Sequence, residues 1–185
     1  MADSDEATVL VVDDERDLAE LFKAYLEPAY DVYVATSGSE ALSLADEDVD
    51  VILLDRRMPA MSGDELLSEL TERGIDAQVA LVTGVEPDAD IVDMPFDDYL
   101  TKPVSKSDVL ALVEVLLVRS TYDECCQRFF SLASKKLALE KAGNVDSAEY
   151  HELVERMTAL REEINGTLAT LSPEDSVVDG ISFET

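Results

Sequence analysis

Basic side chains are scarce in this chain: 14 lysines and arginines stand against 42 aspartates and glutamates in 185 residues, a formal charge of -28. A surface of that sign repels phosphate backbones and anionic lipid headgroups, which excludes a general nucleic-acid or membrane-surface binder unless a local patch reverses the charge. Long apolar runs are missing too. The longest, Val109 to Val113 and Val115 to Val118, fall far short of the roughly 18 residues a membrane span needs. The acidic start, Met1 to Glu6, lacks the basic and apolar regions of a signal peptide, so a cytoplasmic protein is expected. Cysteine is confined to the neighbours Cys125 and Cys126, which cannot easily reach ordinary disulfide geometry and read as buried thiols in a reducing compartment. The one histidine, His151, has no second histidine, cysteine or serine partner and reads as an exposed helix position. What the chain does have is a 46% apolar fraction, enough for a folded core, and a length that suits one ordinary domain with a small appendage.

From Thr8 to about Val118, short β-branched runs alternate with helix-length segments, the pattern of βα units around a parallel sheet. The expected strands are Thr8 to Val12, Val32 to Ala35, Val49 to Leu54, Gln78 to Val82 and Tyr99 to Leu100. Near-continuous apolar runs such as Val51-Ile52-Leu53-Leu54 suit strands covered on both faces. Ser37 with Glu40 and Ser62 with Glu65 have capping-box spacing, and Ser105 can cap a helix ending near Arg119. Between the fourth and fifth strands, Val85 to Phe96 is interrupted by Pro87 and Pro95, which predicts a stunted fourth helix.

Past Arg119 the period changes. Tyr150, Leu153, Met157, Leu160, Ile164, Thr167 and Leu171 alternate spacings of three and four on one helical stripe. A preceding helix carries Tyr122, Cys125, Phe129, Leu132 and Leu139 on a similar stripe that Lys136 interrupts. Gly143 between them suits a helix end, and Asp146 with Glu149 has capping spacing, so the pair reads as an antiparallel hairpin or coiled coil. The stripes form either the hairpin's own core or a seam for a partner. The expected domains are therefore 1–119, 120–171 for the hairpin, and an unassigned tail at 172–185.

The polar residues with chemical potential fall where such a sheet binds ligands, beyond the carboxyl ends of its strands. Asp13 and Asp14 follow the first strand, Asp55 the third and Thr83 the fourth, while Lys102 follows the fifth. Three carboxylates in one place need a cation, and an all-oxygen donor set points to Mg²⁺. The Lys102 ammonium and Thr83 hydroxyl suit phosphoryl oxygens, and a carboxylate can take up a phosphoryl group covalently. Each residue alone has an ordinary explanation, as a helix cap, a strand end or a solvated lysine. Their coincidence at equivalent ends of four strands is what points to a site.

Those residues sit in four ordered blocks, Val11-Val12-Asp13-Asp14-Glu15, Leu53-Leu54-Asp55-Arg56-Arg57-Met58-Pro59 with Gly63, Val82-Thr83-Gly84, and Asp98-Tyr99-Leu100-Thr101-Lys102-Pro103. Through them, residues 8–118 resemble the receiver domain of two-component response regulators. The resemblance implies a flavodoxin-like, doubly wound, five-stranded parallel sheet. It implies Asp55 as phosphoacceptor and Mg²⁺ held by Asp13, Asp14, Asp55 and the backbone carbonyl of Arg57. Thr83 and Lys102 are then the phosphoryl contacts, Thr83 and Tyr99 the switch pair, and a histidine kinase the phosphodonor. Such a protein is a phosphoacceptor switch and not an enzyme, beyond its own dephosphorylation. Arg56 and Arg57 beside the acceptor either modulate dephosphorylation or lie on a solvated loop. The stunted fourth helix argues against a standard activated dimer through that face.

The remaining C-terminal part is similar to the HalX domain attached to haloarchaeal receivers, and the acidic composition suits a salt-rich cytoplasm. The expected partner is a second copy, in a homodimer or higher assembly through the C-terminal helices. A transcriptional regulator that binds DNA with those helices is the alternative. Residues 119–185 carry seven basic and thirteen acidic side chains, net -6, although Arg119 to Lys141 alone carry five and three, net +2. No recognition helix with clustered arginines stands out, so DNA is disfavoured. An aspartate-nucleophile phosphatase of the Asp-x-Asp kind is disfavoured because Arg57 occupies the second acidic position.

Overall fold

The computed structural model describes residues 6–85 and 94–170. The chain divides into two units, Met1–Leu117 and Val118–Thr185. In the first, strands β1 (Thr8–Val12), β2 (Asp31–Ala35), β3 (Val51–Leu54), β4 (Gln78–Thr83) and β5 (Asp98–Thr101) form one sheet in the order β2-β1-β3-β4-β5. Every neighbouring pair is parallel. The chain moves outward from β1 to β2 and then returns past β1 to β3, so strand order reverses between β1 and β3. That crevice is where a doubly wound sheet binds ligands.

The period-two alternation of strand side chains splits the core into two layers. Val9, Val11, Val51, Leu53, Ala80 and Val82 pack with Ala19, Phe22 and Leu26 of α1 (Arg16–Leu26) and with Val109, Val113 and Leu116 of α4 (Lys106–Lys141). Leu10, Val12, Ile52, Leu54, Val79 and Leu81 face the other way, onto Ala41 of α2 (Gly38–Leu44) and Leu66, Leu67 and Leu70 of α3 (Gly63–Arg73). Burial on both faces explains why β1 and β3 read as unbroken apolar runs.

The helix starts follow their chemistry closely. Ser62 Oγ accepts the Glu65 N–H at 3.2 Å while Glu65 Oε2 accepts the Ser62 N–H at 2.8 Å, a complete capping box. At α2 the Ser37 hydroxyl accepts from Glu40 N–H as expected, but the Glu40 carboxylate takes the N–H and hydroxyl of Thr36. Ser105 caps α4, with Asp108 in the reciprocal role. The expected stop near Arg119 is absent: α4 runs unbroken from Lys106 to Lys141. No glycine or proline interrupts that stretch, so propagation costs less than a stop and a fresh nucleus. The expected fourth helix falls mostly on 86–93, and Leu171 and the tail 172–185 on the C-terminal end, all outside the described residues.

In the second unit, the rest of α4 and α5 (Ala148–Thr170) form an antiparallel pair. Tyr150 Oη donates to Glu140 at 2.9 Å, at the turn end, and Arg128 and Glu163 line one cavity toward the other end. Gly143, at φ 75°, ends α4 with the Asn144 N–H donating to the Leu139 carbonyl, a left-handed exit that a side chain resists. The cap of α5 is Ser147, whose hydroxyl accepts from Tyr150 N–H, and not Asp146. Leu153, Leu160 and Cys125 are buried and Tyr122, Phe129, Leu132 and Leu139 half-buried, so both stripes supply the hairpin's own core. Lys136, the polar member, lies over the Tyr150 ring at 5.6 Å and pairs with Glu140. His151 is exposed, and both cysteines are free.

Candidate functional site

The crevice between β1 and β3 holds the acids. Asp13 leaves β1 buried at 2% exposure, Asp14 is exposed beside it, and Asp55 leaves β3 at 8%. One carboxylate oxygen from each lies within 4.8 Å of the others. Backbone pairing fixes the approach: the Asp55 N–H donates to the Val12 carbonyl at 2.8 Å and the Asp13 N–H to the Ala35 carbonyl at 3.1 Å. Asp13 Oδ1 also accepts the Glu15 N–H at 2.9 Å, which locks its carboxylate at the start of α1.

Lys102 arrives from β5. Its Nζ is 2.6 Å from Asp13 Oδ2 and 3.6 Å from Asp55 Oδ1, so one ammonium bridges two of the three carboxylates. Burial pushes the Asp13 carboxyl above the usual aspartate range, and the Asp55 charge pushes the same way, while the Lys102 bond and charge and the Glu15 N–H pull it back. Three carboxylates against one ammonium leave negative charge in excess. The all-oxygen set with one exposed member, Asp14, fits a hard divalent cation that keeps some of its water.

Thr83 ends β4 and is buried at 1%. Its carbonyl accepts the Lys102 N–H at 2.9 Å, tying β4 to the lysine-bearing loop. Its hydroxyl is 3.4 Å from the Val85 N–H, and the Val85 carbonyl accepts the hydroxyl of Tyr99. Val85 thus joins the side chains of Thr83 and Tyr99. The Tyr99 ring also packs on Phe96 at 5.9 Å.

The loop after Asp55 is closed at its base. The Gly63 N–H donates to the Arg56 carbonyl at 2.8 Å, and a Cβ at Gly63 would lie 2.6 Å from the Asp55 carbonyl oxygen. Met58 is buried and the Arg57 side chain exposed. Arg56 corrects an expectation: it lies on no solvated loop but is buried, with its guanidinium on both oxygens of Asp64. Spacing gave no sign of that pair, because the partners are eight residues apart across a turn. Ala60 takes φ 67° where the Met61 N–H reaches the Pro59 carbonyl, a three-residue turn in a region that disfavours a side chain. Left-handed backbone costs a non-glycine residue about 1–2 kcal/mol. Ala60→Gly should therefore raise stability by up to ~1 kcal/mol after its own entropy cost, measured by urea denaturation; a loss of stability contradicts the strain.

The sequence matches the response regulator receiver domain over residues 9–114. The chain belongs to that family. Residues 118–179 match the HalX domain. A Haloferax volcanii protein named "Putative transcriptional regulator" is 47% identical over 85% of this chain, which spans 28% of that protein. The response regulator SaeR of Staphylococcus aureus is 32% identical over 60% of this chain and 50% of its own length. The chain thus spans no more than half of these relatives. Among solved structures, the Francisella response regulator 1452 receiver domain aligns with a TM-score of 0.57 at 32% identity, covering 62% of this chain and 98% of that one. A CheY-like receiver domain protein of Methanospirillum hungatei aligns at 0.58 and 27%, covering 62% and 96%. Among the described residues of this receiver, no helix is long and apolar enough to cross a membrane.

Proposed function

We propose that this chain is a cytoplasmic phosphorylation switch in which Asp55 accepts a phosphoryl group from a histidine kinase and a helical output arm responds. The observation that carries the reading is the convergence of Asp13, Asp14 and Asp55 within 4.8 Å, with the Lys102 ammonium reaching two of them, at the point where strand order reverses. An Asp55 carboxylate oxygen attacks phosphorus, the bond to the donor imidazole nitrogen breaks, and an acyl phosphate results. Lys102 stands where charge builds on the transferring group, and the Thr83 hydroxyl is offered to a phosphoryl oxygen. Asp13, Asp14, Asp55 and the Arg57 carbonyl would hold Mg²⁺, which when bound would supply the countercharge that lets these acids meet an incoming anion. When Thr83 turns toward the phosphoryl group, Val85 carries that change to Tyr99. The chain acts as an acceptor and not as an enzyme with turnover.

This reading predicts one added phosphoryl group by intact mass after incubation with acetyl phosphate and Mg²⁺, and none with a chelator. Labelling that persists in the chelator removes the metal from the account.

The arm is proposed to join a second copy. Leu153 and Leu160 are used inside the hairpin, but Phe130 and Leu137, seven residues apart on one side of α4, are 70% and 51% exposed. Phe130→Asp with Leu137→Asp should shift the full-length protein from dimer to monomer in high salt, read by light scattering. A monomeric parent, or a double variant that still dimerises, rejects this face. DNA binding by the arm has less support, given its net charge of -6.

A further inference from the structure

We propose that Arg56 is a positioning residue for the cation site: its ion pair with Asp64 fixes the direction of the Arg57 carbonyl. The proposal deepens the reading above and rests on it, in that it takes Mg²⁺ to be held by the three carboxylates and that carbonyl. The starting observation is that a guanidinium next to Asp55, in a chain so short of cations, is withdrawn from solvent onto a carboxylate of the next helix. Its side chain is 10% exposed and aimed at α3, with Nε 3.0 Å from Asp64 Oδ1 and Nη2 3.1 Å from Asp64 Oδ2. A two-pronged contact fixes the plane of the guanidinium as well as its distance. Asp64 lies in the first turn of α3, where a carboxylate is favoured by the unpaired N–H groups of the helix start, so the anchor is itself held.

The backbone of Arg56 is held as firmly as the side chain, through its carbonyl on the Gly63 N–H at 2.8 Å. On the other side of Arg57, Met58 is buried at 8% in the layer that contains Leu54 and Leu66. Arg57 is thus a solvent-facing residue between two anchored neighbours, the arrangement that fixes a backbone carbonyl without using its own side chain. Groups that orient ligands in this way are known to be worth ~10–100-fold in metal affinity.

Two alternatives make different predictions. If Arg56 acted on the site only through its charge, removing that charge would tighten cation binding, because a positive group beside three carboxylates competes with the metal. If it served only the fold, affinity would not change in variants that stay folded. The test uses the full-length protein, Mn²⁺ as a paramagnetic probe followed by electron paramagnetic resonance, and Mg²⁺ as competitor. Arg56→Lys keeps the charge and loses the fork; Arg56→Gln loses both. Weaker binding in both variants, by ~10-fold or more, is the expected result. Unchanged or tighter binding in either folded variant overturns the proposal, and if Arg56→Gln does not fold, Arg56→Lys alone decides. Asp14→Ala separates the two levels of the argument: if it binds Mn²⁺ as tightly as the parent, the cation reading itself fails, whatever Arg56 does.

Discussion

Asp55→Asn should fold as the parent does and take up no phosphoryl group. The substitution keeps the shape of the side chain but removes the carboxylate proposed as nucleophile, and among the described residues nothing nearby replaces it. Asp13 is 2% exposed and its Oδ2 is engaged by Lys102 at 2.6 Å, with Oδ1 on the Glu15 N–H. Asp14 is exposed but lacks a lysine contact of that kind. Loss of one of three crowded carboxylates also lowers the negative charge of the cluster, so cation affinity should fall together with labelling. The measurement is intact mass with a phosphodonor and Mg²⁺, with circular dichroism to check the fold. A variant that gains the same mass as the parent places the acceptor elsewhere.

Gly63→Ala should be among the most damaging single-methyl changes in the receiver. The added Cβ would sit 2.6 Å from the Asp55 carbonyl oxygen and 2.8 Å from the Arg56 Cα, and both obstacles are backbone. Flexible side chains yield to such a clash; here the yielding element is the peptide that carries Asp55. Overpacking of this kind costs about 1–3 kcal/mol or more. The variant should lose roughly 10 °C in thermal midpoint and also label poorly, because relief requires the base of the loop to open. Ala60→Gly, three residues away, is expected to move stability in the opposite direction. The pair distinguishes close approach from left-handed strain within one loop. A neutral Gly63→Ala means the loop is held less tightly than its contacts imply.

How much of this was legible in the sequence depended on whether the determining interaction was local. Strands β1 and β3 were legible because burial on both faces leaves an unbroken apolar run, and α3 because Ser62 and Glu65 satisfy each other three residues apart. The meeting of Asp13, Asp14, Asp55 and Lys102 was legible for the same reason, since they stand just beyond strand ends. Long-range pairing was not. Arg56 looked like surface charge because its partner sits across a turn, on the next helix. Glu40 had the spacing of a capping box, yet the neighbouring Thr36 offered it two donors instead of one. The continuity of α4 past Arg119 was visible only as a lack of helix breakers. The stripe from Tyr150 onward was recognisable as a stripe, but only its partners on α4 distinguished a hairpin core from a docking seam.

The acid excess and the site are related but separate features. Among the described residues most acids are exposed, whereas Asp13 and Asp55 are buried against each other at the expense of repulsion and desolvation. A cluster of that kind with a single lysine is what a phosphoryl-accepting, cation-assisted site requires, and a surface adapted for hydration does not.

Asp55, and no other residue, is expected to carry the phosphoryl group as an acyl phosphate. Hydroxylamine cleaves an acyl phosphate and leaves a stable hydroxamate on the carboxyl carbon, whereas phosphoserine and phosphothreonine do not react. The full-length protein, treated with a phosphodonor and Mg²⁺ and then with hydroxylamine, should yield one hydroxamate, mapped by peptide mass to Asp55. A hydroxamate on Asp13 or Asp14, or a phosphoryl group that resists hydroxylamine, contradicts the account.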